Sequence, residues 1–213
     1  MFSVVVAHAQ LLAPGESRKV NEPFDAASYL PLDGQERLSR WLHEDGGSPS
    51  IHLNVLMLAS LSEAAGTPTE WGRGVEGFAR REGNEYGQYL IGTSIHEGLA
   101  AATQTDPRYF PCGCKGLWRR SAHAVEMTLL TYNHNGHKVP DFAQLAGAYG
   151  GPMIAKLWYP EHYSPLVQGV QFGHIEVGII GTIHMVQEFS PELRGFFHVK
   201  ERTMVARAER PKP

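Results

Sequence analysis

The stretch Ala143-Gln144-Leu145-Ala146-Gly147-Ala148-Tyr149-Gly150-Gly151-Pro152-Met153-Ile154-Ala155 sets Ala143, Gly147, Gly151 and Ala155 four residues apart. On a helix such positions lie one above another on a single face, so the four form a smooth stripe that a second backbone can approach closely. The G-x-x-x-G pairs Gly83/Gly87 and Gly169/Gly173 repeat the spacing inside segments whose other residues have helical period. No segment of strand length alternates apolar with polar residues. The expected fold is therefore all-α, a bundle of about five main helices with Gly/Ala-mediated close packing and an extended N-terminal arm.

Working outward from the stripe, local signals mark the other helices. Asp33 is placed to cap a short helix carrying Leu38, Trp41 and Leu42, which Gly46-Gly47 stops. Ser48 or Ser50 opens a second helix from Ile51 to Ala65, ended by Gly66-Thr67-Pro68. A long third helix is predicted from about Glu70 to Thr103, with a kink expected near Gly83 or Gly92. Asp106-Pro107 breaks it, and Pro111-Cys112-Gly113-Cys114-Lys115-Gly116 reads as a turn. A fourth helix is predicted from Leu117 to Tyr132, a fifth from Asp141 to Tyr159 with a bend at Pro152, and a last from about Ser164-Pro165 to Phe189.

The ends read differently. Residues 1–9 close on Ala7-His8-Ala9 before Gln10, the small-x-small form of a signal-peptidase site, so they are expected to be the remnant of a signal peptide. Residues 10–32, interrupted by Pro14, Gly15, Pro23 and Pro31, are expected to be an extended, mobile arm. A single helical domain is expected over 33–199, with a frayed tail over 200–213. The chain is thus expected to be exported, to the periplasm or cell envelope.

Composition narrows the partners. The 213 residues carry a net charge of −3 with no Lys/Arg cluster beyond pairs such as Arg80-Arg81 and Arg119-Arg120, which argues against nucleic acid. The most apolar helix, Leu166 to Val186, is interrupted by Gln168, Gln171, His174, Glu176 and His184, so a peripheral membrane or lipid contact is expected in preference to a span. Cys112 and Cys114 are the only cysteines, and one intervening residue leaves both a tight disulfide and two free thiols open.

Histidine is abundant, with 11 residues, and invites a metal. His123 and Glu126 lie three apart on one helical face, and His96 and His174 on other helices complete a candidate divalent-metal set. The set is sparse: no H-E-x-x-H, G-x-S-x-G, P-loop or dinucleotide fingerprint is present.

The motifs Glu70-Trp71-Gly72-x-Gly74 and Asp106-Pro107-Arg108-Tyr109-Phe110, with Trp158-Tyr159-Pro160 and Glu188-Phe189, resemble an uncharacterised family of exported, helix-rich bacterial hypothetical proteins. The resemblance implies export, a helical fold and envelope association; it supplies no catalytic residue. Here the turn after the fourth helix reads Tyr132-Asn133-His134-Asn135-Gly136-His137, where the family has an Arg-Thr-Asp-Ser-Gly-like turn. The expected function is a non-enzymatic structural or assembly role in the envelope, through helix contacts at Gly83, Gly87, Ala143, Gly147, Gly151, Ala155, Gly169 and Gly173, with a homo-oligomer as partner. The alternatives are a metal-binding protein or metal-dependent enzyme using His96, His123, Glu126 and His174, and a carrier of lipid or a small hydrophobic ligand in a glycine-lined groove.

Overall fold

Asp33 opens the first helix with a reciprocal cap: the Glu36 N–H donates to Asp33 Oδ1 at 2.8 Å, and the Asp33 N–H donates to Glu36 Oε2 at 3.1 Å. In the computed structural model, which describes residues 23–193, this helix is α1 (Gly34–Arg40), extended by a π-helical turn over Trp41–Gly46. Pro49 starts α2 (Pro49–Ala65), where its missing N–H costs no hydrogen bond. Gly66, left-handed at φ 66°, closes α2: the Gly66 N–H donates to the Glu63 carbonyl and the Thr67 N–H to that of Ser62.

The long helix α3 runs without interruption over Val75–Thr103 and ends at Gln104, the one left-handed non-glycine among the described residues. Its start lies later than the sequence pattern predicts because Thr69–Trp71 forms a separate 3-10 turn. The chain continues through α4 (Leu117–Glu126), β1 (Leu130–Tyr132), β2 (Lys138–Pro140), α5 (Phe142–Ala155) and α6 (Val167–Glu188). Helix α5 is the centre of the bundle, packed on α3 on one side and α6 on the other, while α2 lies on α3 and α4 on α6. Pro152 sits in the last turn of α5, and a 3-10 turn over Lys156–Trp158 follows. The all-α class holds, with one small sheet added.

That sheet corrects the predicted fourth helix. The helix stops at Glu126, and Leu130, Thr131 and Tyr132 pair antiparallel with Pro140, Val139 and Lys138. Tertiary contact overrides helical continuation here: the Asp106 N–H donates to the Tyr132 carbonyl at 2.8 Å, and Tyr132 stacks on Phe24 at 3.7 Å between ring centres. Tyr109, Phe110, Met127 and Tyr132 make the aromatic core of this end, closed by Phe24 and Tyr29. The described end of the arm, residues 23–32, is therefore anchored, and Tyr29 Oη donates to Asp106 Oδ2 at 3.0 Å. The signal-like residues 1–9, most of the arm and the tail over 200–213 lie outside the described residues.

Candidate functional site

The largest fully buried side chains include Arg81, Glu188 and Asp106, an unusual content for a helical core. Along α3 the buried residues are Gly77, Arg81, Asn84, Gln88, Glu97 and Ala100, so the inward face of the longest helix is polar. The helical period was present in the sequence, carried by polar residues. A search for apolar periodicity passes over it.

Where α3 crosses α5 and α6, this face builds a connected seam. Trp158 Nε1 donates to Asn84 Oδ1 and Asn84 Nδ2 to Tyr159 Oη, both at 3.0 Å, while Gln88 Nε2 donates to Glu176 Oε1 on α6 at 3.1 Å. Lys156, 3% exposed, places its Nζ 3.5 Å from the Tyr159 ring centre and 4.1 Å from that of Phe172, with no hydrogen-bond partner. An ammonium held by two aromatic faces keeps electrostatic attraction but forfeits hydration. Burial accordingly lowers the Lys156 pKa to about 8, against the opposing pull of Glu85. Burial also raises the Glu85 and Glu176 carboxyls, opposed by hydrogen bonds from Asn84 and Gln88 respectively.

A pH effect follows. The unfolded chain binds the Lys156 proton more tightly than the folded chain, so the Lys156 contribution to stability rises between pH 8 and the ordinary lysine range near 10.5 and is flat below pH 8. In Lys156→Met this rise is expected to vanish, leaving the variant relatively more stable at pH 8 than at pH 10.5. Melting temperatures of both proteins across that range check it, because subtraction cancels the tyrosines that both share.

The structure does not assemble His96, His123, Glu126 and His174 as ligands. Among the described residues no group of three or more His, Cys, Asp or Glu side chains is placed to hold a metal ion. His123 Nε2 lies 3.0 Å from the Phe110 carbonyl, Glu126 pairs with Lys138 Nζ at 2.9 Å, and His174 Nδ1 turns back to the Val170 carbonyl at 2.7 Å. His96 on α3 is half-buried, with its Nε2 enclosed and unpartnered; burial, with Arg40, His184 and Arg37 nearby, lowers its pKa to about 4. His184, outside that candidate set, has its pKa lowered to about 4 by burial and stacks on Tyr109 at 4.3 Å. With Asp106, Thr131, Asp141 and Gln144 it lines a cavity of about 10 Å³, room for one water.

The small-residue stripe lies within the fold. A Cβ on Gly147 would stand 2.6 Å from the Gly92 carbonyl oxygen, and one on Gly151 would stand 2.8 Å from that of Gln88. Gly169 faces Met153 and Gly173 faces the Tyr149 ring, so α6 uses the other side of α5. Ala143 and Ala155 are buried, Gly83 faces open space, and Gly87 has Trp158 at 3.8 Å. Helix α3 is continuous through Gly83 and Gly92, and Gly92 receives α5.

Large apolar side chains also reach the outside of the bundle. Leu53, Leu56 and Leu61 on α2, Leu99 on α3, Ile154 on α5, and Val170, Phe172 and Ile175 on α6 are all exposed. Comparison with protein-family models, curated proteins and solved structures returns no match.

Proposed function

We propose that this is an exported helical protein that acts at the cell envelope by laying apolar helix faces against lipid. One observation carries the reading: charged and amide side chains such as Arg81, Asn84, Gln88 and Glu188 are buried beside apolar residues such as Ile51, Val55 and Phe110, while Leu53, Leu56, Leu61, Ile175 and Phe172 are exposed on the helices. In water that distribution forgoes hydrophobic burial, roughly 25 cal/mol per Å² of apolar surface left exposed. Against a lipid surface the same residues are buried. No helix among the described residues is long and apolar enough to cross a membrane, so the contact is peripheral. The resemblance to exported, helix-rich proteins supports the same compartment.

The stripe supports this version of the envelope role over assembly through Gly147 and Gly151, whose close contacts are made within the chain. Flotation with vesicles of phosphatidylcholine and phosphatidylglycerol tests the proposal. The natural protein is expected in the vesicle fraction, and a Leu53→Ser, Leu56→Ser, Leu61→Ser variant is expected to float several-fold less while melting normally, since all three positions are at least 40% exposed. A natural protein that stays wholly in the unbound fraction overturns the reading.

A further inference from the structure

The turn Pro111-Cys112-Gly113-Cys114-Lys115-Gly116 contains both cysteines of the chain, joined as a disulfide with their Cα atoms 5.1 Å apart. A disulfide stabilises mainly by restricting the unfolded chain, an effect that shrinks with the loop it closes. Here the loop contains only Gly113. The bond also joins no two helices, so neither stability nor architecture accounts for it. Its cysteines are half-buried in a turn whose Gly113, Lys115 and Gly116 are exposed, a position open to thiol–disulfide exchange.

The two sulfurs have unlike surroundings. The Cys112 N–H donates to both oxygens of the buried Glu188, at 3.1 and 3.0 Å, and Arg120 Nε lies 3.5 Å from that carboxyl group. The Arg120 guanidinium offsets that carboxylate, so the pair beside Cys112 supplies no net positive charge to hold a thiolate on its sulfur. Cys114 is followed by Lys115 and stands three residues ahead of Leu117, the first residue of α4. The cation and the unpaired N–H groups of that helix end favour a thiolate there.

We infer that Cys112-Gly113-Cys114 is a redox-active pair that exchanges disulfides with polypeptide thiols, with Cys114 as the attacking sulfur. In the reduced chain the Cys114 thiolate bonds to one sulfur of a client disulfide, whose other sulfur leaves as a thiolate and takes a proton from water. Cys112 then gives its proton to water and attacks the Cys114 sulfur, and the second client sulfur leaves and is protonated. The client gains two electrons, the pair loses two, and the ring is closed. The reverse sequence oxidises a client dithiol. Leu117 and Trp118, 72% and 84% exposed beside the turn, offer an apolar surface to an incompletely folded client segment.

The test mixes reduced full-length protein with oxidised glutathione, quenches in acid and reads masses. The natural chain is expected to close its ring without accumulating an adduct, faster than a synthetic peptide of residues 111–116. Cys112→Ser is expected to stop at one glutathione adduct on Cys114, formed about tenfold faster than the Cys112 adduct of Cys114→Ser. The double variant C112S/C114S is expected to melt within ~2 °C of the natural protein. Equal rates in the two single variants and the peptide overturn the inference. So does a double variant that melts far lower, since the bond is then structural.

Discussion

Arg81→Met is expected to destabilise the fold by about 3–5 kcal/mol, the range found when one partner of a buried charge network is removed. Arg81 is fully buried, and its guanidinium joins two segments. Nε donates to the Thr67 carbonyl at 2.9 Å, Nη2 to that of Pro68 at 2.9 Å, and Nη1 to that of Gly72 at 3.0 Å and to Glu63 Oε2 at 2.7 Å. Methionine matches the stem but removes all four guanidinium hydrogen bonds: the Thr67 and Pro68 carbonyls and the Glu63 carboxylate each keep one other donor, in Ser62 Oγ, the Trp71 N–H and the Gly74 N–H, while the Gly72 carbonyl loses its Arg81 donor. Arg81→Lys is expected to rescue little, because a single ammonium cannot reach acceptors spread around a planar fork. Glu63→Gln keeps the carbonyl contacts and is expected to lose only about 1 kcal/mol. Urea denaturation checks the order. A domain of this size has a stability of roughly 5–15 kcal/mol, so the Arg81 loss is readily measured. Equal midpoints for Arg81→Met and Glu63→Gln would show that the carbonyl contacts contribute nothing.

The same joint shows which parts of the fold were legible in the sequence. The Gly66 end of α2 and the Asp33 cap of α1 are local signals, and each element begins or ends where its own residues require it. The polar face at Arg81, Asn84 and Gln88 has the right period in the wrong residue class, so only the partner carbonyls and side chains identify it as buried. The hairpin was hidden because Leu130, Thr131 and Tyr132 extend an apolar run and are too few to display alternation. The histidine set is dispersed for a related reason. Helical spacing puts His123 and Glu126 on one face but says nothing of the Phe110 carbonyl and Lys138 ammonium that engage them. Lys156 carried no motif at all, and its role in the seam arises from Tyr159 and Phe172 on either side.

Gly147→Leu is expected to prevent α3 and α5 from closing, and with that to abolish cooperative folding. The obstruction is main chain: the added Cβ would meet the Gly92 carbonyl oxygen at 2.6 Å and the His96 Cβ at 3.0 Å, and neither can be rotated away. Gly147→Ala carries the same Cβ without the branch and is expected to cost about 1–3 kcal/mol by forcing the helices apart. Gly83→Ala supplies the opposing case. Gly83 lies mid-helix, exposed, with nothing within 4 Å of its Cβ position, so alanine there gains helix propensity of about 0.5–1 kcal/mol with no steric penalty. Melting temperature is therefore expected to fall for Gly147→Ala and rise for Gly83→Ala, while oligomeric size stays unchanged in both. The seam should follow the packing: Lys156 begins the turn directly after α5, so spreading α3 from α5 admits water to its ammonium and weakens the Lys156-dependent rise in stability above pH 8. A Gly147→Ala protein with natural melting temperature and altered oligomeric size would instead make the stripe an assembly surface between chains.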